Sequence, residues 1–172
     1  ALEMTMPEVV KVTFTGKLQK GITARDVVSA LVIYAEKQGY GKGIYNGKII
    51  EFDGVEDFTD DERYILTNAT AERSAIAGVI APDKVTEEQV KRDLEYLKNR
   101  LIYDDTPSTR NAIKALEEWL ALPDDEKFLR PDPDAKYAAE ITVPLDEITE
   151  PLVAKPHHPD NVATLSEVAG TK

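Results

Sequence analysis

The sequence predicts an α/β protein: a single-domain, mixed-sheet sandwich carrying a helical-hairpin insert. Three observations lead there. Short β-branched runs alternate with segments of helical apolar spacing, and glycine and proline punctuate the boundaries. Between residues 86 and 122 the pattern turns wholly helical, and β character then resumes at 138–143. At 172 residues the chain suits one domain with an insert and is long enough to bury a core without staples.

In residues 9–15, Val10, Val12 and Phe14 alternate with Lys11 and Thr13, the period of a half-buried strand, and Gly16 stops it. Thr23 and Asp26 stand at capping-box spacing, which predicts a helix reaching about Gln38. Val27, Ala30, Leu31 and Tyr34 form its apolar face, and Gly39 is its stop. Asn46-Gly47 signals a hairpin turn into a strand at 48–52, closed by Asp53-Gly54. Thr59 followed by Asp60, Asp61 and Glu62 begins a second helix, with carboxylates at the positive end of its dipole. Residues 68–75 read as another helical turn or a new short helix ended by Gly78, and 79–81 as a short strand.

Thr86-Glu87-Glu88-Gln89 has the form of a capping box, and Val90, Leu94, Leu97 and Leu101 make a helical stripe after it. Residues 104–107 break that stripe. A second arm at 111–122 carries Ile113, Leu116, Trp119 and Leu120 on one side. Ile141 and Val143 then face one way along a strand that Pro144 ends, 152–154 can form one more strand, and 155–172 is loop-like. The domain plan is an α/β core from 1–85 and 134–172, a hairpin insert at 86–122 and a polar linker at 123–133.

Composition excludes several function classes. A net charge of −11, with no clustered Lys and Arg, argues against nucleic-acid binding. No run approaches the length of a membrane span, and no basic region followed by an apolar run opens the sequence, so a soluble, unprocessed, cytoplasmic protein is expected. The absence of cysteine excludes disulfides, thiolate nucleophiles and a cysteine-ligated cluster held by this chain alone.

Few residues stand out as chemistry. Gly41-Lys42-Gly43 matches neither a P-loop nor a dinucleotide fingerprint, and turns are the expected use of these glycines. His157 and His158 are adjacent, so in extended chain they point to opposite sides and make a poor metal pair; an exposed loop is the simpler reading. The carboxylates of Asp104-Asp105 and of Asp124-Asp125-Glu126 sit at helix boundaries, where capping explains them. Asn68 and Glu72 differ. At i and i+4 they would share a helix face within a small-residue run, and an amide beside a carboxylate suits binding of water or a hydroxyl-bearing substrate. The residues alone leave that reading open against an ordinary helix surface.

Several blocks resemble one family. Gly16-Lys17-Leu18 followed by Gly21-Ile22-Thr23-Ala24-Arg25-Asp26 is similar to the G-K-L-x-x-G-[VI]-T-x-[RK]-D segment of the aconitase and isopropylmalate dehydratase superfamily. Ile50-Glu51-Phe52-Asp53-Gly54 resembles its I-E-[FY]-x-G strand, and Leu66-Thr67-Asn68 through Glu72 to Ala75 resembles its T-x-N-x-x-x-E-x-[GS]-A segment, with Leu66 at the position of the threonine. Ala77-Gly78-Val79-Ile80-Ala81-Pro82-Asp83 looks like the isopropylmalate branch. Trp119, Ile148-Thr149-Glu150-Pro151-Leu152 and Pro159-Asp160-Asn161-Val162 resemble the bacterial aconitase B branch.

The resemblance implies the second of several domains around a [4Fe–4S] cluster, in hydro-lyases that dehydrate and rehydrate a hydroxy-acid, such as citrate to isocitrate through cis-aconitate; citrate, isopropylmalate and methylcitrate are left open as substrates. It implies that the cluster acts as a Lewis acid and is held by cysteines of a domain that would follow Lys172. The substrate-clamping arginines and catalytic serine belong to other domains too. Two catalytic positions carry over: Asn68, to order the cluster or its bound water, and Glu72, to manage the hydroxyl proton. The implied partners are the remaining domains and a tricarboxylic-acid substrate, and the isolated domain is expected to be inactive. The alternative is an engineered or stand-alone scaffold on the same fold, serving an engineered protein partner.

Overall fold

Strand β1 (Val9–Thr15) organises the sheet, because its sequence alternates as one face of a core requires. Val10, Val12 and Phe14 are buried, while Lys11 and Thr13 are partly exposed between them. This computed structural model describes residues 5–171. The end of the segment read as loop-like, Lys172, lies outside the described residues. The chain divides into two compact units, Ala1–Ile80 with Asp134–Lys172, and Ala81–Pro133.

In the first unit β1 is followed by α1 (Ala24–Lys37), β2 (Ile49–Asp53), α2 (Asp60–Asn68) and β3 (Ala77–Ile80). After the second unit come β4 (Ala139–Pro144), β5 (Leu152–Ala154), β6 (Val162–Thr164) and the one-turn α6 (Leu165–Val168). The main sheet has the order β3-β2-β1-β4 and is parallel throughout. Antiparallel pairing is confined to the ribbon of β5 and β6, with Val153 opposite Ala163. The α/β class holds, and the mixture of strand senses is sorted into two separate sheets.

Parallel pairing explains why Asn46-Gly47 makes no hairpin. A tight turn would reverse the chain into an antiparallel partner, whereas parallel neighbours need a crossover. The chain instead takes a 3₁₀ turn at Lys42–Tyr45 and enters β2 beside β1, the Ile49 N–H donating to Glu8 O at 3.0 Å. The late strand is more ordered than its sequence suggests: β6 and α6 lie inside the stretch read as loop, with Thr164 and Glu167 forming a capping box.

Helix α1 begins with the expected capping box of Thr23 and Asp26. Ten of its fourteen residues are buried, more than a single stripe supplies. It packs against β4, α2 and the β5–β6 ribbon, so neighbours close round most of its circumference. The ribbon is tied down where the Leu152 N–H donates to Asp26 Oδ1 at 2.8 Å.

Gly78 does not end a helix. It lies within β3, and a Cβ there would come within 2.6 Å of Thr70 Cγ2 and 3.0 Å of the Thr67 Cα. The glycine lets the end of α2 and the turn after it lie directly on β3. The helical stop is Ser74, in the left-handed region at φ 54°.

The second unit holds α3 (Lys84–Arg100), α4 (Pro107–Leu120) and the one-turn α5 (Asp124–Lys127). Helix α3 starts two residues before the predicted box. Asp83 is its cap, accepting from the Val85 and Thr86 N–H groups at 2.9 and 3.3 Å. Pro107, read as part of a break, occupies the first turn of α4 behind its cap Thr106, where its missing N–H costs nothing. The segment read as linker folds back: Trp119 and Phe128 meet edge to face at 6.4 Å, and the buried Lys127 ammonium lies 3.6 Å from Glu87.

Candidate functional site

The site grows from the junction between α2 and β3. Helix α2 opens with the capping box of Thr59 and Glu62 and ends at Asn68. The chain then tightens into a 3₁₀ turn at Ala69–Arg73. Thr70 Oγ1 donates to Thr67 O at 2.7 Å, and the Ala75 N–H to Thr70 O at 3.3 Å, which holds the tightened turn. Asn68 and Glu72 therefore flank a switch of helix type. A 3₁₀ turn takes about three residues instead of 3.6, so the shared α-helical face assumed from i,i+4 spacing does not carry through.

Glu72 projects from this turn, with a side chain 37% exposed. Arg25 of α1 grips it with two parallel bonds, Nη1 to Oε1 at 2.7 Å and Nη2 to Oε2 at 2.6 Å. This fork-to-fork pairing fixes the carboxylate plane as well as its position. The Arg25 guanidinium holds the Glu72 carboxyl below the usual carboxylate range; partial burial opposes that, and the charge of Arg73 adds to it. Glu72 is accordingly a hydrogen-bond acceptor at neutral pH. Asn68 is exposed, and its amide bonds to no described residue.

The next residue, Arg73, anchors the turn. Its side chain is 1% exposed and donates to the carboxylate of Asp160 and, at 2.9 Å, to Pro159 O. Asp160 belongs to the connection between β5 and β6, and its N–H donates to His158 Nδ1 at 3.2 Å. His158 thus braces Asp160, and His157 is exposed. Among the described residues no three His, Cys, Asp or Glu side chains converge on a metal position. Nearby, the buried Tyr45 hydroxyl donates to Leu31 O at 3.0 Å, and burial pushes its pKa well up.

The remaining motifs have local uses. Gly41-Lys42-Gly43 leads into the 3₁₀ turn, with Lys42 3.8 Å from Glu36. Asp104 and Asp105 pair with Arg100 and Arg110, at 2.6 and 2.7 Å, and are not caps. A cavity of about 390 Å³ opens at the ends of β1 and β4, where the strand order reverses, lined by Thr15, Gly16, Lys17, Asp57 and Leu145 among others. Neither Asn68 nor Glu72 lines it.

Sequence reasoning singled out Asn68 and Glu72 but not the partners around them: Arg25, which clamps Glu72, and the Arg73–Asp160 pair that anchors the turn. One signal for Arg25 was available: a cation in the first turn of a helix opposes the dipole, so it needs a reason to be there.

Fold and site together define a parallel-sheet α/β unit whose α2–β3 junction presents a clamped, ionised carboxylate. The chain belongs to the aconitase family (aconitate hydratase), whose model matches residues 1–172. It is 42% identical over 185 residues to aconitate hydratase B of Synechocystis sp., and 37% identical over 187 residues to that of Escherichia coli. These matches cover 98% and 99% of this chain, but only 20% and 21% of those proteins. A 3-isopropylmalate dehydratase large subunit of Methanopyrus kandleri is 33% identical, covering 96% of this chain and 32% of that subunit. The chain thus spans about a fifth of the length of the aconitate hydratases it matches.

Proposed function

We propose that this chain is one domain of a [4Fe–4S]-dependent hydro-lyase of the aconitate hydratase type, interconverting citrate and isocitrate through cis-aconitate, and that it needs the remaining domains to act. The observation that carries the reading is the match along the whole chain to a fifth of aconitate hydratase B. A cytoplasmic setting suits an acidic chain without cysteine.

This chain's residues do not fit as ligands of such a cluster. Cluster iron takes thiolates, and the sequence has no cysteine. Its contribution is proton handling and orientation. In hydration the ionised Glu72 carboxylate takes the proton of the water whose oxygen bonds one alkene carbon, while the other carbon takes its proton from an acid on another domain; in dehydration that group removes the carbon-bound proton and Glu72 gives its proton to the leaving hydroxyl, which departs as water. Asn68 offers an amide donor and an acceptor from the preceding helix end, suited to ordering the cluster or a water bound to it.

Turnover of the complete enzyme tests this. Glu72→Gln should lower kcat for cis-aconitate hydration by about a hundredfold, the scale of a lost acid–base group. Asn68→Ala should lower it less. Unchanged turnover in Glu72→Gln would remove Glu72 from the mechanism, and robust turnover by this chain alone would sink the domain reading.

A further inference from the structure

We propose that Arg25 is a positioning residue for Glu72, holding both carboxylate oxygens from the first turn of α1 so that the carboxylate meets a hydroxyl-bearing ligand in one orientation. The inference rests on the reading of Glu72 as the proton-handling group and adds the residue that prepares it.

Three observations support it. The pair joins residues 47 apart in sequence, with both terminal guanidinium nitrogens, Nη1 and Nη2, engaged at 2.6–2.7 Å, the geometry that fixes a plane. Both ends stand on braced backbone. Arg25 lies between the capping residues Thr23 and Asp26, and Asp26 also accepts from the Leu152 N–H; Glu72 lies beside Arg73, which is tied to Asp160 and Pro159. Finally, α1 gains nothing from the cation. A positive charge in the first turn opposes the helix dipole, so the placement serves Glu72 and not the helix.

The pairing leaves chemistry available. A carboxylate has about four lone-pair sites, and the guanidinium takes two of them. The Glu72 side chain remains 37% exposed, so the others stay open to a ligand. Arg25 from α1 and Arg73 from its own turn are the charges acting on it, and both favour the ionised form.

The experiment compares Arg25→Gln, Arg25→Lys and Glu72→Gln in the complete cluster-loaded hydro-lyase, reading kcat, KM and the pH dependence of cis-aconitate hydration. It also follows the Glu72 carboxyl through a ¹³C NMR titration in the chain described. Arg25→Gln should raise the Glu72 titration midpoint, move the acid limb of the rate profile upward and lower kcat by about tenfold, part of the acid–base contribution. KM should change far less. Arg25→Lys should recover part of kcat, because it restores the charge but not the two-point grip. If Glu72→Gln lowers kcat by about the expected hundredfold while Arg25→Gln keeps both kcat and the acid limb, the positioning role is overturned and the role of Glu72 stands. If Glu72→Gln leaves turnover unchanged, both are overturned. Thermal unfolding of Arg25→Gln, with the lysine variant as the conservative control, separates lost positioning from lost fold.

Discussion

Arg73 and Asp160 stand 87 residues apart in sequence and form an ion pair in which the arginine side chain is 1% exposed and the aspartate 11%. One end fixes the turn that carries Glu72, and the other fixes the connection between β5 and β6. Breaking a buried pair by removing one partner leaves the other charge uncompensated, at a cost of about 3–5 kcal/mol. Asp160→Ala should therefore destabilise the chain by about 3 kcal/mol in urea unfolding. Arg73→Met with Asp160→Leu should cost less than that single change.

Gly78→Ala tests how closely α2 and the following turn lie on β3. The added carbon would stand 2.6 Å from a Thr70 methyl and 3.0–3.1 Å from Thr67 backbone. Overpacking of this kind costs about 1–3 kcal/mol. A lower Tm is the expected result, with the Arg25–Glu72 pair weakened because the turn itself must shift.

The cap of α3 separates the sequence reading from the structure. Asp83 bonds the N–H groups of Val85 and Thr86, whereas Thr86 sits three residues inside the helix as the partner in the box. Asp83→Ala should cost about 1 kcal/mol of stability, as lost N-caps do. Thr86→Ala should cost clearly less in the same unfolding experiment.

Acid should weaken both units through depressed carboxylates. Arg25 lowers the Glu72 pKa, and Lys84 followed by Lys91 lowers that of Glu87 to about 2. A carboxyl depressed in the folded state is protonated first in the unfolded chain, so the unfolded state binds more protons as pH falls. The stabilisation is present above the ordinary value of 4.5, and is lost below it as pH approaches each folded value. Stability measured from pH 6 to pH 2 (chosen to span that window) should fall with acidity, and Glu72→Gln should flatten part of the slope.

Local chemistry made much of this protein legible. The alternation of Val10, Val12 and Phe14 marks β1, and the boxes Thr23–Asp26 and Thr59–Glu62 mark two helix starts, because each depends on neighbours within a few residues. The i,i+4 spacing that singled out Asn68 and Glu72 did not survive, because the chain tightens into a 3₁₀ turn at Ala69–Arg73. Parallel pairing of β1 with β2 and β4 was decided by the crossovers between them, and it turned Asn46-Gly47 from a hairpin signal into a lead-in to a strand. The near-complete burial of α1 depended on the ribbon of β5 and β6. The partners of Glu72 and Arg73, 47 and 87 residues away, came from other elements. Residue order sets caps, periods and turns because these are short-range; the clamp on Glu72 exists only once the sheet, α1 and the ribbon have packed.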